Sequence, residues 1–185
     1  MEITAQQLEG ELEAFGHHRI EIVAELAHDG PPDGIGPALM LALGSRETDL
    51  RNIVGDEGHG RGWLQIDDRF HPGFLSTHRG CNSGSFTAKF ASALPKGRVP
   101  TLTAGTLFAV QLLRGNMQFA RQHGVPKAEV LRFAIAAYNA GAGGALAGFR
   151  AGKVDLKTTG KNYSADVLAR AQVAARFLKH NGLAT

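Results

Sequence analysis

The spacing of apolar positions predicts a chain built mainly of helices. Thr4 with Gln7 three residues later reads as a capping box that opens a mostly polar helix running to about Phe15, with a break near Gly16. Ile20, Val23, Ala24 and Ala27 then recur at helical spacing until Gly30-Pro31-Pro32 stops them. Pro37 suits the first turn of a helix whose run Ala38-Leu39-Met40-Leu41-Ala42-Leu43 is apolar on every side, which predicts a central position. That helix ends in Ser45-Arg46-Glu47-Thr48. Helical periodicity returns at about 103–123, at 127–139 (Val130, Leu131, Ala134, Ala137, Tyr138) and at about 163–180, where Gly182 ends it.

Between residues 52 and 72 the pattern changes. Asn52-Ile53-Val54 and Trp63-Leu64-Gln65-Ile66 are short and strand-like, and the glycine-rich stretch Gly55 to Gly62 separates them. This predicts a small antiparallel hairpin with a bent connecting loop. A polar, loop-rich stretch follows from Gly73 to Pro100. The expected fold is α+β and mainly helical, with a small antiparallel sheet between an early central helix and later helices, so that a cleft separates two lobes.

Length and composition narrow this picture. At 185 residues the chain is expected to form a single domain, an acidic helical segment (1–30) ahead of a core (31–185). Residues 1–30 carry seven acids and one base, Arg19, whereas residues 31–185 carry 19 bases and 10 acids, a net of +9. Such a body suits an anionic polymer: nucleic acid, acidic lipid or cell-wall glycan. Its basic residues are scattered without clusters of stacking aromatics, which argues against nucleic acid. The start of the chain has no basic and apolar signal region, and no apolar run approaches the length of a span. The single cysteine, Cys81, is expected to be a free buried thiol.

Several cofactor readings fail on spacing. Gly148 to Val154 is one residue short of the phosphate-loop pattern and lacks Ser or Thr after Lys153. Gly141-Ala142-Gly143 follows a helix, not a strand, and has Leu146 where a dinucleotide motif needs glycine. The loop from Asp56 to Gly60 fails the calcium-loop pattern. His59, His71 and His78 with Asp67 and Asp68 have no metal-ligand spacing, so no metal and no cofactor are expected.

The acids are more informative. Glu47 follows an apolar helix directly, so its side chain is placed at the edge of the core, where desolvation raises a carboxyl toward the ~6 to 7 that suits a general acid. Asp56 and Asp67 flank the glycine-rich hairpin, and pairing of its strands turns both toward the same cleft. Carboxyl groups facing across a cleft are what glycosidic bond cleavage needs: one protonates the leaving oxygen and another activates water or stabilises the cationic transition state. Trp63 is either a sugar platform or, the favoured reading, a core residue.

At these residues the chain resembles the goose-type lysozymes and the related soluble lytic transglycosylases. The resemblance is carried by Gly44-Ser45-Arg46-Glu47-Thr48, by the stretch from Gly55-Asp56-Glu57-Gly58 through Trp63-Leu64-Gln65-Ile66-Asp67 to His71-Pro72, by Ala136-Ala137-Tyr138-Asn139-Ala140-Gly141 and by Asn162-Tyr163-Ser164 onward. These blocks occur in the family's order between about residues 38 and 180. The resemblance implies that Glu47 is the general acid and that Asp56 and Asp67 are the aspartates that place and activate water. It also sets Gln65, His71, Tyr138, Asn139 and Tyr163 near the sugar-binding cleft. The stretch between Glu47 and Asp56 is shorter than in vertebrate members, and their disulfide cysteines are absent, which points to a bacterial or phage protein, such as an endolysin.

The expected function is therefore peptidoglycan hydrolysis at the β-1,4 bond between N-acetylmuramic acid and N-acetylglucosamine. An inverting single displacement leaves roughly 6.5 to 9.5 Å between acid and base for the water. The alternatives are a lytic transglycosylase using Glu47 alone, a chitinase, and an inactive wall-binding or virion structural module. The expected partner is the peptidoglycan glycan strand, met by a monomer made in the cytoplasm and released to the wall by lysis or delivered by a virion.

Overall fold

The structure, a computed structural model, describes residues 3–28, 33–71, 81–82 and 99–183. Thr4 opens α1 (Ala5–Phe15) with the expected reciprocal cap: its hydroxyl accepts from Gln7 N at 3.2 Å and the Gln7 side chain accepts from Thr4 N at 2.9 Å. Two amides that a helix start leaves unpaired are thereby satisfied. Gly16, at φ 92°, ends α1, and α2 (His17–His28) begins at once, three residues before the apolar stripe.

The central helix is α3 (Pro37–Thr48), with every residue from Leu39 to Ser45 buried. It ends where Asp49 and Leu50 turn left-handed (φ 52° and 60°), their amides returning to the carbonyls of Ser45 and Gly44 at 3.0 and 3.1 Å. Thr48 Oγ1 donates to Trp63 O at 2.8 Å and fastens this end to the sheet region.

Three further helices follow among the described residues. They are α4 (Leu102–Gln122), α5 (Val130–Arg150), entered through a 3-10 turn at Lys127–Glu129, and α6 (Tyr163–His180). The central helix packs chiefly on α6, α4 packs on α5 and α2, and α1 lies against α6. One hydrophobic cluster joins residues of all six helices among the described residues with Leu50, Trp63 and Leu64.

Helix α5 runs eleven residues past the end expected at 139. Its backbone breaks at Gly141 (φ 71°, ψ 158°) and then resumes through Ala142-Gly143-Gly144-Ala145. Residues this small leave no periodic apolar stripe to read. They allow close approach instead, since a Cβ on Gly148 would lie 2.7 Å from the carbonyl oxygens of Lys153 and Val154 in the 3-10 segment Val154–Lys157.

The hairpin expectation needs a sharper correction. The sheet has three strands, β1 (Val54–Gly55), β2 (Gly60–Arg61) and β3 (Ile66–Asp67), antiparallel in the order β1-β2-β3, with Val54 opposite Arg61 and Gly60 opposite Asp67. The middle strand is thus part of the expected loop, and Trp63-Leu64-Gln65 is a turn. Trp63 and Leu64 are consecutive and both fully buried, which no alternating strand permits. With its indole fully enclosed and 5.4 Å from the Phe15 ring, Trp63 is a core residue and not a sugar platform.

A second strand pair, β4 (Cys81–Asn82) with β5 (Val99–Pro100), falls in the stretch expected to be loop. The Cys81 side chain, His78 and residues 83–98 lie outside the described residues. Among the described residues no helix is long and apolar enough to cross a membrane. No group of three or more His, Cys, Asp or Glu side chains among them is gathered to hold a metal ion. Asp67 and Asp68 of the candidate metal set are engaged otherwise, Asp67 with Arg69 and Asp68 with His59 and Arg61.

Candidate active site

The last turn of α3, the middle of α5 and the sheet converge on a cleft of about 620 Å³. Glu47 stands on the α3 side. Tyr163, the first residue of α6 and only 2% exposed, donates its hydroxyl to Glu47 Oε1 from behind the cleft. Tyr138 on α5 lines the cleft beside Glu47 and donates to Leu64 O at 2.9 Å, tying α5 to the turn before β3.

Burial pushes the Glu47 carboxyl up to about 7, against the opposing pull of the Tyr163 hydrogen bond and the Arg46 charge. Desolvation is the larger effect because water is excluded from most of the carboxyl's surroundings. The same burial, with Glu47's own charge, pushes both tyrosines well above their ordinary range, so each is a neutral hydrogen-bond donor.

Tyr163 is held in place by a buried acid. Asp155 accepts from Ser164 N at 2.8 Å and from Ser164 Oγ at 2.6 Å, and Arg132 stands 3.7 Å away. These bonds fix the start of α6 against the 3-10 segment. A carboxylate with only 2% exposure needs such partners to offset its desolvation.

The opposite wall is the sheet. Asp56 and Asp67 are joined by one guanidinium: Arg69 Nε donates to Asp67 Oδ1 at 3.0 Å, and Arg69 Nη2 reaches Asp67 Oδ2 at 2.6 Å and also Asp56 Oδ2. The side-chain hydrogen bond from Arg69 is the main reason the Asp67 carboxyl lies below the ordinary aspartate range. The shared guanidinium offsets the repulsion between two carboxylates held this close. Asp56, Glu57 and Gln65 all adopt positive φ (47°, 54° and 47°), a cluster of left-handed non-glycine residues around the site.

Gln65 braces this wall, donating from Nε2 to Gly62 O at 2.8 Å and to Ile53 O at 3.3 Å. Its amide lies against β1 and β2, where a Cβ on either Gly55 or Gly60 would overlap Oε1. His71 lines the cleft with its ring edge-on to Phe108 at 4.9 Å, and burial lowers its pKa, favouring the neutral imidazole. Asn139 also lines the cleft, and its Oδ1 accepts from Thr159 N at 2.8 Å.

Seven of the eight residues singled out in the sequence, Glu47, Asp56, Gln65, Asp67, His71, Tyr138 and Asn139, wall one cleft, and the eighth, Tyr163, binds Glu47 from behind. Sequence reasoning missed Arg69, which lies in the turn after β3, where its own amide donates to Asp67 Oδ1 at 2.9 Å. It also missed Arg46, whose role depends on a partner 120 residues away, and Asn116, a buried cleft residue whose Nδ2 donates to Ala134 O at 3.4 Å.

No family model matches the chain. It is 32% identical over 143 residues to Lysozyme G of Dromaius novaehollandiae, 31% identical over 143 residues to lysozyme g of Casuarius casuarius and 30% identical over 143 residues to that of Struthio camelus. Each match takes in 75% of this chain, which spans 58%, 64% and 58% of those proteins respectively.

Proposed function

Over the matched 143 residues the chain is a relative of the goose-type lysozymes, and we propose that it is a muramidase that hydrolyses the β-1,4 bond between N-acetylmuramic acid and N-acetylglucosamine. One observation carries the reading: a carboxyl pushed up to about 7 shares a cleft with two aspartates, of which Asp67 is held below its ordinary range. A group that is protonated near neutrality donates a proton, and one that stays ionised attracts the proton of water.

In the proposed reaction the glycan lies along the cleft. Glu47 protonates the glycosidic oxygen as the bond to the anomeric carbon breaks, and Tyr163 holds the carboxyl in position. Water between the sugar and Asp67, with Asp56 beside it, attacks the opposite face and gives its proton to the carboxylate. The product is inverted, and one water is consumed per bond.

Mass spectrometry of digested peptidoglycan tests this directly. The expected products are reducing muropeptides. Ions lighter by one water, the 1,6-anhydro sugars of a transglycosylase using Glu47 alone, would overturn the water-activating role of the aspartates. Turnover confined to plain N-acetylglucosamine oligomers would instead identify a chitinase.

The rate is expected to follow a bell-shaped pH profile, falling on the alkaline side as Glu47 loses its proton and on the acid side as Asp67 gains one. Arg69→Gln removes the main cause of the Asp67 shift while leaving Asp56 beside it. The acid limb therefore moves to higher pH while the alkaline limb stays in place. A pH–rate profile in which neither limb moves would separate Arg69 from the reaction.

A further inference from the structure

Behind Glu47, charged side chains alternate in sign across three helices. Glu11 on α1, its carboxyl raised by burial, accepts from Ser45 Oγ at 2.5 Å. Arg170 on α6 donates from Nη1 to the same hydroxyl at 2.7 Å and from Nε to Asp166 Oδ2 at 3.1 Å. That same Asp166 oxygen lies 2.9 Å from Arg46 Nε, where the angle allows no hydrogen bond, so the contact is ionic. The Arg46 guanidinium stands 5.5 Å from the centre of the Tyr163 ring, and Tyr163 binds Glu47.

We propose that Asp166 is a positioning residue that sets the protonation of Glu47 through Arg46, an assignment that rests on Glu47 being the acid of the proposed reaction. Arg46 immediately precedes Glu47, and an unopposed guanidinium there would favour the ionised carboxyl and disarm a general acid. Asp166 opposes it in two ways. Its negative charge offsets the field of Arg46, and its contact holds the guanidinium over the Tyr163 ring. Arg170, only 7% exposed, holds Asp166 in turn and is itself held by the buried Ser45 hydroxyl.

The other groups facing Glu47 do not perform this role. Tyr163 from α6 and Tyr138 from α5 are neutral donors. Across the cleft, Asp56 and Asp67 are ion-paired with Arg69, and His71 is driven toward its neutral form.

The test reads Glu47 itself, by NMR titration of its carboxyl carbon alongside the pH profile of lysis. In Asp166→Asn the titration is expected to fall by about one pH unit, with on the order of a tenfold loss of rate at pH 8 and little change at pH 5. In Arg46→Gln it rises, and in the double variant, where the charge that Asp166 offsets is gone as well, it lies well above that of Asp166→Asn. A purely structural role would lower the rate alike at all pH values. A folded Asp166→Asn protein whose Glu47 titrates as in the wild type overturns the proposal. So does a double variant that follows Asp166→Asn instead.

If Asp166→Asn does not fold, Arg46→Gln decides, and an unmoved Glu47 overturns the proposal. A wild-type protein without lytic activity would sink the muramidase reading and leave the titration to answer for Asp166.

Discussion

Glu47→Gln is expected to lower cell-wall lysis by about a hundredfold to ten-thousandfold, the usual contribution of a positioned general acid, and at the same time to make the protein more stable at alkaline pH. The amide keeps the shape and still accepts the Tyr163 hydrogen bond, but it has no proton to give to the glycosidic oxygen. Equal lysis by wild type and variant in a turbidity assay would remove Glu47 from the acid's role.

The stability effect follows from the same burial. The Glu47 carboxyl is raised from 4.5 to about 7, so the folded protein resists its ionisation more than the unfolded chain does. Below pH 4.5 the group is protonated in both states and costs nothing. Between 4.5 and 7 the unfolded chain ionises first, and stability falls as pH rises. Above 7 the loss is complete, about 3 kcal/mol at most for a shift of this size. Glutamine removes the titration, so urea unfolding should show the variant gaining stability over the wild type at pH 8 and matching it at pH 4. A variant less stable at both values would mean that the Tyr163 bond outweighs the desolvated charge.

Gly44→Ala is expected to destabilise the fold by about 1–3 kcal/mol, although alanine is ordinarily the better helix residue by about 1 kcal/mol. Gly44 lies one turn before Glu47 on the central helix, and a Cβ there would overlap the Trp63 ring and come to 3.0 Å from Leu50 Cδ2. The ring is fully enclosed and packed on Phe15, so it has nowhere to retreat. Gly115→Ala on α4 is the matched control. Nothing lies within 4 Å of its added Cβ, so helix propensity acts alone and stability rises by about 0.5–1 kcal/mol. Opposite signs in urea unfolding are the expected result. A stabilised Gly44→Ala would show that the Trp63 ring can shift.

The Gly44 variant also bears on activity. Thr48 is fastened to Trp63 O, and Tyr138 to Leu64 O, so a displaced Trp63 disturbs both walls of the cleft. Loss of lysis should accompany the loss of stability, whereas the Gly115 control keeps full activity.

Much of this was readable along the chain. The run Leu39 to Leu43 has no polar side to give to water, so it had to become the central helix, and Gln7 after Thr4 had to open α1. Glu47 at the end of that run was placed at the edge of the core by position alone, Asp56 and Asp67 stood out as acids flanking the glycine-rich hairpin, and the resemblance then assigned their roles. Periodicity misled where side chains are small or turned by the backbone. The Gly-Ala half of α5 has no stripe to detect, and β2 was hidden because Gly60 is chosen for the space Gln65 needs, not for strand propensity.

What only the tertiary structure decided is charge. No reading along the chain pairs Arg46 with Asp166 or brings Tyr163 to a carboxylate 116 residues earlier. Desolvation and Coulomb interaction depend on distance through space, and the chain orders residues only by distance along itself. Helix order and the candidate acids were therefore local properties, open to inspection in the sequence. The burial that raises the Glu47 carboxyl and the Arg69 contact that lowers that of Asp67 arise only once the helices and the sheet are packed together.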